Sequence, residues 1–343
     1  MANERTRGLG LALLVAALVG LGGPDHVAGA DLGAAVNRAA ARPALQGQHV
    51  TVTTPSTGLH EMPLVVGIRR GLYSAEGLDV TRIQMAPPVS VAAVIAGDAD
   101  YTLSVGSTIT AMVGADAPLK IVAGLAVLPL QMLVTGDPAV HSVADLRGKA
   151  VGTSTLSDTT ANLMRIAARA NGLEPQVDVS LQPLGESPNR LAALQSGQVS
   201  AVMLDVAQAQ QAQLGGGRIL VAPTDLPPLP TSGLSLTEAK LSEQASPTEA
   251  LVRGSIRAVR YMQQNRDDTV ALMMEHMGLE RQAAELAYDL GLGAFAADGL
   301  ISDQGLQLLI DAARDTTGRP SALTPAQVAD FSIARRVDAQ LGE

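Results

Sequence analysis

Cysteine and tryptophan are both missing from the sequence, and the remaining aromatics are two Phe and four Tyr. The lack of cysteine excludes disulfides, thiolate metal sites and a lipid-modified cysteine at a processing site. A chain held together without disulfides needs an ordinary apolar core, for which its length is ample. The scarcity of aromatics removes the flat faces that receptors for sugars and quaternary amines use. Basic residues are also few: 24 Lys and Arg stand against 33 Asp and Glu, a formal net charge of -9. They form no cluster, so no nucleic-acid footprint is expected. His49, His60, His141 and His276 stand at no metal-like spacing, and neither a G-x-S-x-G elbow nor a P-loop occurs. The sequence therefore predicts no metal, no cofactor and no enzyme.

What is present begins at the N-terminus. Arg5 and Arg7 precede an apolar run over residues 9–21, and Ala28-Gly29-Ala30 follows. That is the order of a secretory signal peptide, cleaved near Ala30. The run is shorter than the ~20 residues of a membrane span. Residues 31–48 read as a linker.

From there strands and helices alternate, which indicates an α/β architecture with mostly parallel sheets. Strands are predicted at 49–54, 77–80, 100–104 and 119–123, with helices at 60–71, 89–96 and 108–113. The same order returns as strands at 149–153, 177–181, 199–204 and 218–221, with helices at 159–170, 190–195 and 207–213. Gly77-Leu78 has its counterpart in Gly172-Leu173. Two lobes follow: residues 49–127 with 232–343, and residues 132–225. The stretches 125–134 and 223–236 read as two crossovers, and a pair of crossovers makes a hinge. Beyond residue 247 the pattern is helical, with helices near 280–290, 303–313 and 325–341 predicted to pack on the first lobe.

Four motifs stand in order along this frame. They are Pro63-Leu64 with Gly71-Leu72-Tyr73 and Glu76-Gly77-Leu78-Asp79-Val80; then Gly97-Asp98-Ala99-Asp100; Asp145-Leu146-Arg147-Gly148-Lys149; and Leu194-Gln195-Ser196-Gly197-Gln198-Val199. In these the chain resembles the periplasmic binding proteins of the nitrate/sulfonate/taurine group, which includes receptors for the thiamine-pyrimidine precursor. The resemblance implies a two-lobed, type II periplasmic-binding-protein fold and a periplasmic receptor serving an ABC permease. It also implies Tyr73 as a core residue. Two departures stand out: Ser200 replaces a usual acidic residue, and Met203-Leu204-Asp205-Val206 lacks a common proline at the cleft border.

In doubly wound sheets, ligands sit beyond the carboxyl ends of the strands. That rule selects Thr54, Ser56, Thr57 and His60 after the first strand, and Ser104, Ser107 and Thr108 after the third. In the second copy it selects Ser154, Thr155, Thr159 and Asp205, with Thr231 added from the second crossover. Most are hydroxyls leading into helices, where unpaired N–H groups attract anions. The plain alternative is that they are only helix caps. For Asp205 a ligand acceptor and a solvated cap are equally open. The expected function is capture of a small organic anion, such as a sulfonate or carboxylate, by a monomer without help from Arg or Lys. An enzyme on the same fold, of menaquinone or thiamine-pyrimidine biosynthesis, and a ligand-sensing partner of a membrane receptor are the competing readings.

Overall fold

The computed structural model describes residues 47–342. The expected signal peptide, and the linker up to residue 46, lie outside the described residues. The first sheet takes β1 (Gln48–Thr54), β2 (Leu78–Gln84), β3 (Tyr101–Thr102) and β4 (Leu119–Ala126). The chain then builds the second sheet from β5 (Gln131–Thr135), β6 (Lys149–Thr153), β7 (Val179–Pro183), β8 (Ala201–Asp205) and β9 (Arg218–Val221). It returns to the first sheet with β10 (Ser232–Thr237). The strand orders are β2-β1-β3-β10-β4 and β7-β6-β8-β5-β9.

Both sheets are mixed, which revises the mostly parallel expectation. β1 runs parallel to β2 and β3, while β10 lies antiparallel between β3 and β4. Likewise β6 is parallel to β7 and β8, while β5 lies antiparallel between β8 and β9. Both antiparallel strands come from stretches that read as crossovers. Leu133 and Leu234 in their middles are fully buried. β5 is apolar between Gln131 and Thr135, as a strand covered on both faces is; β10 does alternate at Leu234-Ser235-Leu236-Thr237, but the Pro-, Thr- and Ser-rich stretch leading into it reads as a linker. The actual links between the sheets are residues 127–130 and 222–231.

Helices fill the connections: α1 (Met62–Arg69), α2 (Pro87–Ala96), α3 (Val105–Ala115), α4 (Thr159–Ala170), α5 (Ser187–Gln195) and α6 (Val206–Leu214). α2 starts on Pro87 and Pro88, whose fixed φ suits a first turn, and stops at Gly97, which has φ 84°. α7 (Glu238–Glu243), α8 (Ala245–Gln264), α9 (Arg266–Met277), α10 (Arg281–Gly291), α11 (Asp303–Thr317), α12 (Pro325–Val328) and α13 (Ser332–Gly342) follow. α8 and α13 pack on β4, but α10 lies against α6 beside the second sheet, so the tail helices do not all return to the first. The 325–341 pattern is two helices, separated where Asp330 N–H bonds Ile121 O.

Tyr73 is a core residue, 2 % exposed, with its hydroxyl 2.9 Å from Ser255 Oγ. Its ring occupies the gap between α1 and α8. A Cβ on Gly67 or on Gly254 would come within 2.3 or 2.4 Å of it. Burial pushes its phenol pKa up, only partly offset by the Ser255 bond.

Candidate functional site

A cavity of about 50 Å³ is lined from both sheets. At roughly 10–15 Å³ per water-sized occupant, it holds about four such atoms, the size of one polar headgroup. Ser56, His60, Ser104, Ser107 and Thr231 line it from the first sheet's side. Ser154, Thr159 and Asp205 line it from the second.

The other hydroxyls selected from the sequence are elsewhere. Thr54 is fully buried at the end of β1 and is not part of the lining. Thr57 is exposed and donates to Gln84 Oε1 at 3.0 Å, in an adjoining recess. Thr108 donates to Ser104 O one turn back at 2.9 Å. Thr155 accepts from Ser157 N in its own turn at 3.3 Å. These hydroxyls stand at the right strand ends, but Thr108 and Thr155 serve local bonds and Thr57 is tied to Gln84, so each bond competes with any ligand.

Two helix starts meet at the cavity. On α3, Gly106 comes so close to α4 that a Cβ there would lie 3.3 Å from Thr159 Oγ1 and 3.6 Å from Thr159 N. The first turns of both helices have N–H groups with no intrahelical acceptor. α4 is fixed by Asp158, whose Oδ1 accepts from Ala161 N at 3.2 Å and from Thr160 Oγ1 at 2.8 Å. Thr160 Oγ1 in turn accepts from Ser154 N at 2.8 Å, which pins the loop.

Four polar atoms on the lining have no partner within the protein: His60 Nε2, Ser104 Oγ, Ser107 Oγ and Gln131 Oε1. Each of the four residues is at most 6 % exposed. Buried polar groups are hydrogen-bonded as a rule, and an unpaired one costs about 1–3 kcal/mol. Four around one cavity mark a place built for something that bonds them.

The model of the NMT1/THI5-like family matches residues 60–269. The chain belongs to that family. No curated protein matches the sequence. Solved structures similar to it include the alkanesulfonate-binding protein SsuA of Xanthomonas axonopodis pv. citri, bound to MOPS. It has 18 % identity and a TM-score of 0.69, over 85 % of this chain and 99 % of that one. The periplasmic nitrate-binding protein NrtA of Synechocystis PCC 6803 has 15 % identity and a TM-score of 0.72, over 86 % and 89 %. The periplasmic aliphatic sulphonate binding protein SsuA of Escherichia coli has 19 % identity and a TM-score of 0.65, over 82 % and 92 %. These likenesses show that this NMT1/THI5-like chain has the two-lobed fold of periplasmic binding proteins.

Sequence reasoning missed part of this family member's polar wall. Glu186, Arg190 and Gln131 line the cavity beside Asp158, which stands at a predicted strand end. Arg190 corrects the expectation that no basic side chain stands there. It is 3 % exposed, and its guanidinium donates to Met203 O at 2.5 Å and to Gly185 O, so two of its nitrogens are held by backbone. Burial and the Asp205 charge raise the Glu186 pKa above the usual carboxylate range, against Arg190 and His60, which lower it. Gln84 Nε2 on the first side donates to Glu186 Oε1 on the second at 3.3 Å. Signals for two of these residues were available. Glu186 follows β7 at a strand end, and Gln131 is the lone polar residue between Leu128 and Val134.

Asp205 stands at the start of α6 but caps nothing with its side chain. Its Oδ1 accepts from Gln131 Nε2 at 3.2 Å. Of the two readings left open for it, the solvated cap is therefore not what the structure shows.

Proposed function

We propose that this protein is the solute-binding component of an ABC importer. It captures a small organic acid, a sulfonate or carboxylate, and presents it to a permease in the inner membrane. The observation that carries this reading is the set of unpartnered polar atoms around a headgroup-sized cavity between two sheets. The Ser104 and Ser107 hydroxyls and the first turns of α3 and α4 converge on it, and an acid group satisfies them together. In this reading the lobes are residues 49–127 with 232–343, and residues 132–225, turning about the two links. Export by the N-terminal signal puts the receptor, a monomer, in the periplasm. Its task in this reading is capture and release.

A thermal-shift panel of short alkanesulfonates and alkanoates tests the reading. A ligand at a hundredfold excess over its dissociation constant stabilises the folded protein by about 2.7 kcal/mol, a rise of several degrees. The same ligand is expected to reduce the radius of gyration or leave an already closed form closed. A panel with no shift for any acid would reject the proposal.

A further inference from the structure

Gly106 lies in the first turn of α3, on the cavity lining, and faces the first turn of α4 across the cleft. Besides its approach to Thr159 Oγ1 and N, an added Cβ would lie 3.6 Å from Asn162 Nδ2. Thr159 and Asn162 are three residues apart and so share one side of α4. On that side α3 rests through a residue with no side chain. The contact is one of shape: Asn162 is fully buried, yet its Nδ2 has no hydrogen-bond partner among the described residues. Backbone conformation does not call for glycine here, because Gly106 is not among the residues with positive φ. Inside a helix glycine is ordinarily worse than alanine, having more freedom to lose. What the position does require is close approach.

We infer that Gly106 is the stop against which the two lobes close, a positioning residue whose missing side chain sets how near the starts of α3 and α4 come. The inference rests on the proposed capture of an acid between moving lobes and adds what fixes their closed spacing. Both first turns border one small cavity with N–H groups that have no intrahelical acceptor. An acid group held by both turns has to reach both at once. The donor–acceptor distance of such a bond spans only about 2.7–3.2 Å. A few tenths of an ångström between the helices therefore separates an acid held from two sides from one held from one. A Cβ at position 106 asks Thr159 to give way by about that much. The two further methyl groups of a valine ask for more.

The test combines calorimetry with spin labels, using ethanesulfonate and butanoate as probes. Because the chain has no cysteine, Val89→Cys on α2 and Val177→Cys in the second lobe, both at exposed positions, take a pair of labels whose separation reports closure. Gly106→Ala is expected to melt no lower than the parent, yet to bind the probe roughly tenfold more weakly, the scale of one bond to a charged group. Gly106→Val should weaken binding further and, at saturating probe, leave the labels farther apart than in the parent; a melting curve shows that it is folded. Thr159→Ala removes the atom nearest the added Cβ. In that background Gly106→Ala should cost little, the mark of two residues that act through their contact. A Cβ that merely obstructed the solute would cost the same in either background. Parental affinity in both Gly106 variants, an equal loss with and without Thr159 Oγ1, or full closure in Gly106→Val would overturn the inference and leave the receptor reading standing. A parent that binds neither probe overturns acid capture and the stop's part in it.

Discussion

The two lobes follow one plan, and they differ in where they keep their charges. Strand for strand the sheets match, with an edge strand, a central strand, a third parallel strand, an inserted antiparallel strand and a last one. The first lobe's wall of the cavity is serine, threonine, proline and glycine, with His60 its only titratable group. Its buried carboxylate, Glu61, lies off the lining, fully buried, with Arg82 Nε and Nη2 at 2.5 and 2.9 Å and His276 Nε2 at 2.7 Å. The second lobe sets Asp158, Glu186, Arg190 and Asp205 in the wall itself. Strand order is thus indifferent to site chemistry, which the loops after each strand decide.

Substitutions turn that contrast into measurements. The largest effect belongs to Glu61→Leu. Removing the buried partner of Arg82 and His276 is expected to cost about 3 kcal/mol in urea unfolding, without altering charge at the cavity. A smaller loss, about 2 kcal/mol, is expected for Arg190→Met, which leaves the Met203 and Gly185 carbonyls without their donor. On the first lobe's side the opposite holds. Ser107→Ala removes a buried hydroxyl that bonds nothing within the protein, so the unfolding free energy should rise, by about 1 kcal/mol. Affinity for a bound acid should nonetheless fall roughly tenfold by calorimetry.

The smallest effects are in pH, and the two lobes take opposite signs. Burial of Glu61 acts to raise its pKa, but the bonds from His276 and Arg82 prevail and hold it below its ordinary 4.5. A carboxyl lowered on folding stabilises fully above its ordinary value and loses that contribution as pH falls through the folded one. Acid unfolding below about 4.5 should therefore be less steep in Glu61→Gln. Glu186 is raised by burial and by Asp205, so it favours the folded state at low pH and ceases to as pH rises through its folded value. Carboxyl NMR titration should place Glu61 below and Glu186 above an ordinary glutamate.

The repeated plan and the strand ends were legible in the sequence because parallel strands, helices and their stops have local signals. The β6 strand at Lys149–Thr153 and the α4 helix at Thr159–Ala170 begin and end where the pattern predicts. The hydroxyl-rich wall followed from that, since Ser104, Ser107 and Ser154 sit just past strands. The inserted strands were not legible for different reasons: Leu130 to Val134 is buried with no polar alternation, while Leu234 to Thr237 alternates but follows a run of prolines that imitates a linker. Gln131 was lost with its strand. Whether a hydroxyl faces the cavity also depends on rotamers and partners: Thr108 satisfies itself on Ser104 O, and spacing along the chain does not reveal that.

The insertion of β10 between β3 and β4 also sets a timetable. Its residues follow the whole second sheet in the chain, and until they are in place β3 and β4 have no strand to join them. A nascent first lobe therefore presents two open strand edges, a template for mispairing. The closing pair, Leu234 with Ala123, spans a long stretch of chain, and non-local pairing of this kind slows folding. The second lobe has no such wait, because β5 precedes both of its neighbours and every strand of that sheet lies in one continuous stretch. On sequence separation alone, the second lobe is expected to assemble first and the first lobe to be completed after it, with the cavity between them the last feature to form.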